Sequence, residues 1–404
     1  MLAISTMMCK KPYTSPAIST SNSYLVVEAV ISNSADSIAI KLSRTVNLSN
    51  SVTTNPVTGA SVSIENDQNS VYPLTETSAG SYMSSGLIVD STRKYRLRIN
   101  TTDHRQYLSD FVPVINSPAI DSLNFSVQSN GINIYLNTHD PKNNTQYYRW
   151  DYTETWVFHA DYYSFYKSNG DTVTERNLPA DQIYQCWRSD TATTVLLATS
   201  AHLSKDVISN NPITFVDPYT GKLGGKHSLN PEQYPPAANS YSILVRQYGL
   251  SNDAFAFWSN LKNNSQNLGE IFSNQPTEIS GNIHSVSNPP ETVIGYLSAG
   301  KISSKRLFIR NAQIPDNFAI TTNPQCAIDS IYLSYYTPGA TVPINQENEY
   351  FNFDTGVQYL GTLYDPVAVI FNPITGKVIG HTGSLAECVD CTLFGTNKKP
   401  AFWQ

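Results

Sequence analysis

The sequence has few charged residues, no concentrated positive charge and no long apolar run. Asp, Glu, Lys and Arg make up 14% of the 404 residues, and the formal net charge at pH 7 is -6. Because the binding of nucleic-acid phosphates needs a concentrated positive surface, we expect no nucleic-acid partner. Beyond the first residues, no apolar stretch approaches the roughly 20 residues that a transmembrane helix needs. The sequence therefore predicts no membrane-spanning helix.

Common catalytic signatures are missing as well. The chain contains neither the His-Glu-x-x-His spacing of zinc hydrolases nor the Gly-x-Ser-x-Gly turn of serine hydrolases. The stretch Gly221–Lys226 is rich in glycine and lysine, but it lacks the spacing of a phosphate-binding loop. A carboxylate pair for glycoside cleavage stays open, because such a pair is defined by its separation in space. We predict a non-enzymatic protein with no cofactor and no metal site.

The residues that are abundant are those typical of β-strands. The chain contains 25 tyrosines, and aromatic and β-branched residues are enriched in strands. Ser37–Arg44 alternates apolar and polar residues, as expected for a half-buried strand. Similar short segments follow, separated by turn-rich spacers. This pattern predicts a mainly β protein built from sandwiches.

The strands group into predicted domains along the chain. Residues 24–115 are expected to form a prealbumin- or immunoglobulin-like β-sandwich, and residues 116–314 a larger, fibronectin-like sandwich. The second sandwich is expected to contain an insertion at 165–240 and to be completed by strands that include Val293–Leu297. A smaller, cysteine-containing region is predicted at 315–404.

One helix is predicted at residues 252–268. Ser251 or Asn252 can cap its first turn, and Gly269 can end it. Apolar side chains recur at helical spacing: Ala254, Phe257, Trp258, Leu261 and Leu268. We expect this aromatic stripe to pack against a neighbouring element, because a surface helix buries one apolar face.

Cys9 lies directly behind a short, uncharged and mostly apolar segment, Met1–Met8. This arrangement is typical of a secretion signal that ends in a lipid-accepting cysteine, although no basic residue precedes Cys9. Residues 10–23 are rich in Pro, Ser and Thr, as expected for a tether between an anchor and a folded body. Residues 1–23 are therefore interpreted as a leader remnant, a lipidated cysteine and a tether.

Four further cysteines remain, namely Cys186, Cys326, Cys388 and Cys391. An even number in an exported chain predicts disulfides, with three possible connectivities. Cys326 is the expected partner for the tail pair, since it lies in the same C-terminal third. Zinc binding or redox activity at the Cys-x-x-Cys motif are the alternatives.

Two sets of residues are candidates for local function. His139-Asp140 could be a base with its orienting carboxylate, but Asp-Pro followed by Asn143 and Asn144 is ordinary turn chemistry, which we favour. A calcium-binding loop is a further alternative. Aromatic residues can give a large contact area to a glycan or peptide ligand, while strand alternation would bury about half of them. The candidates for ligand or partner binding are Tyr148, Trp150, Trp156 and Trp187.

Short motifs occur in order along nearly the whole chain: Pro12-Tyr13 after Cys9, Tyr24–Glu28, Leu42–Thr45, Thr138–Pro141, Tyr147–Trp150, Glu154–Trp156, Cys186-Trp187, Tyr241–Val245, Gln275–Glu278, Gly281–His284, Gly295-Tyr296, Cys388–Cys391 and Lys399–Trp403. Together they resemble a family of outer-membrane lipoproteins from Bacteroidota that is catalogued as domain of unknown function 4249. The resemblance implies a setting beside TonB-dependent outer-membrane transporters. It carries over no catalytic residues.

The resulting expectation is a non-enzymatic lipoprotein, anchored in the outer membrane at the cell surface or periplasmic face. It would act as an accessory ligand- or partner-binding component of a TonB-dependent transporter, with a glycan or a peptide as possible ligand. Two alternatives stay open: an envelope hydrolase of polysaccharide or peptide, and a structural or adhesive surface protein.

Overall fold

The computed structural model describes residues 23–32, 38–46, 55–84, 87–169, 172–223, 239–266, 281–318, 325–336, 338–339, 341–351 and 364–404. Cys9 and the tether up to residue 22 lie outside the described residues, so the predicted anchor remains a prediction. None of the described helices is long and apolar enough to cross a membrane.

The described residues are mainly β, as predicted. The first strands are β1 (Leu25–Ile31), β2 (Ile38–Arg44), β3 (Ser61–Asn66), β4 (Val71–Ser78), β5 (Ser81–Ser84), β6 (Lys94–Asn100), β7 (Gln106–Ser109), β8 (Val112–Pro113), β9 (Ile120–Gln128), β10 (Gly131–His139) and β11 (Tyr147–His159). The later strands are β12 (Tyr166–Ser168), β13 (Val173–Glu175), β14 (Gln185–Thr191), β15 (Leu196–Thr199), β16 (Val207–Val216), β17 (Asn239–Gly249), β18 (Ile283–Ser285), β19 (Val293–Ala299), β20 (Ser303–Arg310), β21 (Asp329–Tyr332), β22 (Tyr364–Phe371) and β23 (Val378–Leu385). The α-helices are α1 (Asn252–Gln266), α2 (Gln346–Tyr350) and α3 (Ala386–Val389), with 3-10 turns at Pro218–Thr220, Asn311–Gln313 and Cys391–Leu393.

The described residues divide into two units, and the first combines residues up to Val114 with residues 281–299. Its strands follow the order β18-β7-β6-β3-β4-β5-β2-β1-β19, and β8 pairs with β6. Leu25 of β1 and Leu97 of β6, distant along this path, lie in one core cluster. The path therefore folds back on itself as a sandwich with a single core.

The position of β19 differs from the sequence-based expectation. Val293–Leu297 was predicted to complete the second sandwich, but β19 pairs in parallel with β1 at the edge of the first unit, from Leu25 opposite Val293 to Ile31 opposite Ala299. Strand alternation identifies Val293–Leu297 as a strand but cannot identify its partner, which is more than 260 residues away in sequence. The first unit is therefore discontinuous in the chain.

Replacement of Gly295 by alanine tests this parallel pairing. A Cβ atom at Gly295 would lie 2.4 Å from the carbonyl oxygen of Val27 and 2.9 Å from its Cβ, so β1 and β19 would have to separate. We expect Gly295→Ala to lower the free energy of unfolding by about 2 kcal/mol, as for other overpacked sites. Urea unfolding measures the effect, with Ser298→Ala on the same strand as a control that adds no atoms. Equal stability of the two variants would contradict the pairing.

The second unit contains the other described residues, from Ile115 onwards without 281–299. A three-stranded sheet has the order β16-β10-β9, and a second sheet has the order β14-β11-β17-β20 with β15 also paired to β11. Ile134 of β10, Trp150 of β11 and Ile243 of β17 lie in one core cluster, so the two sheets form a sandwich. The predicted insertion at 165–240 does not hold over that range, because β14, β15 and β16 belong to these two sheets, whereas β12 and β13 form a separate two-stranded sheet.

The helix and the C-terminal region complete the second unit. Helix α1 begins at the predicted residue, and the backbone N–H of Ala254 donates to the Ser251 hydroxyl at 3.1 Å, which satisfies a free N–H of the first turn. The strands β21, β23 and β22 form a small antiparallel sheet. The disulfide Cys186–Cys391 joins this region to β14 of the sandwich, and Cys326–Cys388 lies within the region. The predicted disulfides and the predicted pairing of Cys326 with the tail are confirmed.

Candidate functional site

The four aromatic residues proposed for ligand binding are all buried. Tyr148 and Trp150 are 0% exposed, Trp187 is 5% and Trp156 is 7% exposed. The structure therefore corrects the prediction that these rings offer a contact surface. The physical reason is the sandwich itself, since Tyr148, Trp150 and Trp156 are on the face of β11 that is turned towards the three-stranded sheet. Trp187 packs against Trp403 and Val157 in a separate cluster.

Trp150 belongs to a buried hydrogen-bond network. Its indole N–H donates to the side-chain oxygen of Gln247 at 2.9 Å. The amide nitrogen of Gln247 donates to the carbonyl oxygen of Pro118 at 2.9 Å and to the hydroxyl of Thr138 at 3.1 Å. Because the side-chain polar groups of Trp150 and Gln247 all have partners, this network stabilises and specifies the core.

His139 ends β10, and Asp140 begins a turn, as favoured from the sequence. The Asp140 carboxylate accepts hydrogen bonds from the backbone N–H groups of Lys142, Asn144 and Thr145 at 2.9–3.0 Å, which is the geometry of an Asx-type turn. The His139 Nδ1 lies 2.8 Å from the carboxylate of Asp121, and this hydrogen bond raises the pKa of the imidazole. His139 therefore pairs with Asp121 rather than with its neighbour in sequence.

The cysteine motif Cys388–Cys391 is neither a zinc site nor a redox dithiol in this structure. Each of its sulfurs is bonded to a different distant cysteine. Asp161 lies close to the sulfurs of Cys326 and Cys388, but both sulfurs are engaged in one disulfide and are not thiolate ligands.

Asp206 is a buried carboxylate whose hydrogen-bond partners all lie within the protein. It accepts hydrogen bonds from the hydroxyls of Tyr148 and Ser200, and its own backbone N–H donates to the Asn143 side chain at 2.6 Å. Burial and the adjacent Asp206 raise the pKa of Tyr148 well above its usual range. The group joins the turn after β10 to the start of β16.

Two further buried carboxylates are also paired. Glu154 forms an ion pair with Lys222 and accepts a hydrogen bond from Tyr241, whose pKa is raised by burial and by Glu154. Glu347 lies 2.6 Å from the Nδ1 of His381. Buried charges of this kind require such partners to offset desolvation. Their hydrogen-bond capacity is used inside the protein, which indicates a structural role.

One outward face of the sheet β14-β11-β17-β20 carries a different kind of cluster, which we call the arginine strip: Arg149 and Asp151 on β11, Arg246 and Tyr248 on β17, and Arg306 on β20. Strand register places Arg149 opposite Tyr248 and Asp151 opposite Arg246. Arg306 is two residues along β20 from the partner of Arg246, so the two arginines are diagonal neighbours on one face. All five side chains are partly exposed.

Asp151 is the carboxylate at the centre of the arginine strip. It accepts a hydrogen bond from Arg246 at 3.0 Å and one from the Tyr248 hydroxyl at 2.7 Å, and Arg149 lies 3.8 Å away. Arg246 also donates from both terminal nitrogens to the Thr153 hydroxyl, at 3.1 and 2.9 Å. A single carboxylate therefore accepts hydrogen bonds from two donors and forms an ion pair with a second arginine.

Aromatic rings stack on the arginines at both ends of the strip. The guanidinium of Arg149 lies 4.1 Å from the ring centre of Tyr248 and 4.4 Å from that of Trp258 on α1. At the other end, the guanidinium of Arg306 lies 3.6 Å from the ring centre of Phe402. Stacking of this kind orients a guanidinium while leaving its N–H edge available.

The arginine strip carries excess positive charge. Three arginines accompany one aspartate, so the five residues have two positive charges in excess. Arg306 donates to the Ser242 hydroxyl at 3.0 Å and forms no ion pair within the described part of the chain. Burial, and secondly the nearby charge of Arg246, lower the pKa of Arg306. An anion placed at this point would offset the repulsion from Arg246 and stabilise the charged guanidinium, so the strip is suited to bind one.

The sequence contains a signal for this strip on the face of β11 opposite to the predicted aromatic surface. Period-two alternation in Tyr147–Trp150 separates Arg149 from Tyr148 and Trp150. Once the tryptophans are assigned to the core, Arg149 and Asp151 must point outward. The contribution of Arg306 could not be found in this way, since it depends on the pairing of β17 with β20.

Comparison with known proteins gives one family. The family described as Domain of unknown function (DUF4249) matches residues 10–306, which is well over half of the chain. No curated protein matches, and no solved structure matches. The match includes all residues of the arginine strip. The chain therefore belongs to the family described as domain of unknown function 4249.

Proposed function

We propose that this protein is a non-enzymatic component of the bacterial cell envelope that binds a ligand for a TonB-dependent outer-membrane transporter. The arginine strip is the observation that carries the proposal. It has excess positive charge, aromatic rings at both ends and guanidinium donors on neighbouring strands of one sheet, which are features of a recognition surface. Its carboxylate, Asp151, is held by Arg246 and Tyr248, so it is poorly placed to act as a base.

The two disulfides support the cell-envelope part of the proposal. They join Cys186 to Cys391 and Cys326 to Cys388. Disulfides persist in oxidising compartments and are rare where cellular reductants keep thiols reduced. An exported protein is the interpretation that agrees with both bonds and with the apolar segment ahead of Cys9.

Anchoring and partner are proposed from the sequence. Acylation at Cys9 would attach the protein to the outer membrane, because two or more acyl chains anchor far more firmly than one. The tether at 10–23 would then separate the body from the lipid surface. The transporter is proposed as the partner because the resemblance to outer-membrane lipoproteins of Bacteroidota implies a setting beside TonB-dependent transporters.

Affinity purification from membranes tests the partner and the anchor together. We expect full-length tagged protein, extracted in mild detergent, to retain a β-barrel transporter, and we expect Cys9→Ala to move the protein out of the membrane fraction. The physical reason for the second effect is the loss of the acyl chains. Intact-mass measurement of the mature chain provides an independent readout of acylation.

Two results would count against the proposal. Recovery of the protein alone under mild detergent would argue against a transporter partner, and an unacylated mature chain would argue against the anchor. Hydrolysis of a glycan or peptide panel by the purified protein, abolished by changing one carboxylate, would instead establish an envelope hydrolase.

A further inference from the structure

We infer that the arginine strip binds an acidic oligosaccharide, with Arg306 and Arg246 holding a carboxylate of the sugar. The inference rests on the proposed function, since it names the ligand class of the same surface. It goes beyond that function by assigning the chemistry of recognition to two particular side chains.

Arg306 is the first anchoring group. Its guanidinium offers five N–H donors in a fixed plane, and the structure gives one side-chain hydrogen bond for them, to Ser242 at 3.0 Å. The ring of Phe402, 3.6 Å away, fixes the plane of the guanidinium from one side. A half-buried, oriented guanidinium with no carboxylate partner among the described residues matches the geometry for two-point binding of a carboxylate.

Arg246 is the second anchoring group, and it is only partly committed. Asp151 accepts one hydrogen bond from it at 3.0 Å, and its other contacts are to the neutral Thr153 hydroxyl. Asp151 is also shared with Tyr248. A ligand carboxylate between Arg246 and Arg306 would balance the excess charge that these two side chains place side by side. Asp151 is therefore a competitor of the ligand for Arg246.

The position of the strip favours a saccharide over a peptide. Peptides that extend a sheet bind through backbone groups at a strand edge, whereas the strip lies on a sheet face and presents side chains. It combines hydroxyls of Thr153 and Tyr248 with the partly exposed ring of Phe402. The Thr153 and Tyr248 hydroxyl oxygens can accept hydrogen bonds from the hydroxyl groups of a sugar, and a flat apolar ring complements its C–H face, while the arginines complement its acid group.

Isothermal titration of full-length protein with hexagalacturonate tests the inference. We expect binding by the wild type, and none with the fully methyl-esterified hexamer, which keeps the sugar rings but lacks the charges. Arg306→Gln and Arg246→Gln are each expected to weaken binding at least about tenfold, as for loss of a charge-assisted contact. Asp151→Asn is expected to strengthen binding severalfold, because it removes the competitor. Higher ionic strength should weaken binding in all cases.

Matched controls separate recognition from folding and from net charge. Arg93→Gln makes the same change of charge in the first unit, where Arg93 pairs only with the exposed Asp90 among the described residues, and it should bind as the wild type does. The thermal unfolding of each variant shows whether it is folded. The opposite response to Asp151→Asn is not expected from a purely structural ion pair.

The outcomes discriminate clearly. Equal binding of the acid and its ester, or unchanged binding by folded Arg306→Gln, would overturn the role of the arginines. Binding of a glutamate-rich hexapeptide in place of hexagalacturonate would overturn the saccharide assignment. If a transporter still copurifies in either case, the proposed function stands and only the saccharide inference falls. If no transporter copurifies but hexagalacturonate binds, the strip is a saccharide site and the proposed partnership with a transporter falls.

Discussion

Loss of the disulfide between Cys186 and Cys391 is expected to destabilise the second unit by about 5 kcal/mol. The two cysteines are 205 residues apart in sequence, and closing so long a loop in the unfolded chain removes a large conformational entropy. Loss of the Cys326–Cys388 bond, with a separation of 62 residues, is expected to cost about 4 kcal/mol by the same relation. The difference of about 1 kcal/mol follows from the logarithmic dependence on loop length.

Urea unfolding of Cys186→Ala/Cys391→Ala and of Cys326→Ala/Cys388→Ala measures both effects. The first pair should also lose packing, because Cys186 and Cys391 lie in a small core with Tyr163 and Tyr184. In strong reductant, the free energy of unfolding of the wild type should fall to that of a variant in which all four cysteines are replaced by alanine. An unchanged urea midpoint for the first pair would contradict the prediction. A larger loss for the second pair would also contradict the prediction, because both the longer loop and the packing around Cys186 and Cys391 favour the larger loss for the first pair.

The disulfide pairing could be predicted only in part from the sequence. An even number of cysteines in an exported chain predicted disulfides, and proximity in sequence selected Cys326 as a partner for the tail. Which tail cysteine it would meet, and how Cys186 would join them, depends on the packing of β14 against the C-terminal segment. The bridge between Trp187 and Thr396 fixes that packing through backbone hydrogen bonds of 2.8 and 2.9 Å. No local pattern encodes it.

The candidate site illustrates the same limit. Alternation along β11 correctly separates two faces, but it does not say which face is the core when both contain large side chains. Here Trp150 enters the sandwich while Arg149 stacks between Tyr248 and Trp258 on the other side. Helix α1 covers part of the outward face, and its Trp258 packs there on Arg149, so large aromatic side chains occur on both faces of the sheet. The family and the mainly β class could be predicted from the sequence. The choice of the core face of β11, and the presence of Arg306 beside that strand's outward residues, could not.

The buried pair of Glu154 and Lys222 gives the second large expected effect. The carboxylate side chain is only 6% exposed, and it is bonded to both Lys222 and the Tyr241 hydroxyl. Replacing Lys222 by methionine would leave a desolvated charge without its cation. We expect Lys222→Met to lower the free energy of unfolding by about 3 kcal/mol, as for other broken buried pairs. Urea unfolding measures this loss.

A double-mutant cycle shows whether the loss comes from the stranded charge. Glu154→Gln keeps the size of the side chain and can keep a hydrogen bond to Tyr241, so the variant Glu154→Gln/Lys222→Met should be more stable than Lys222→Met alone. Arg93→Met is the control for an exposed pair, since Arg93 and Asp90 are 33% and 51% exposed, and it should change stability by less than about 1 kcal/mol. If the double variant were no more stable than Lys222→Met, the effect would stem from the lost cation–π contact between the Lys222 ammonium group and the Trp156 ring, whose centre is 5.3 Å away. A stranded charge instead requires that removing it restores stability, because an uncharged glutamine carries no comparable desolvation cost.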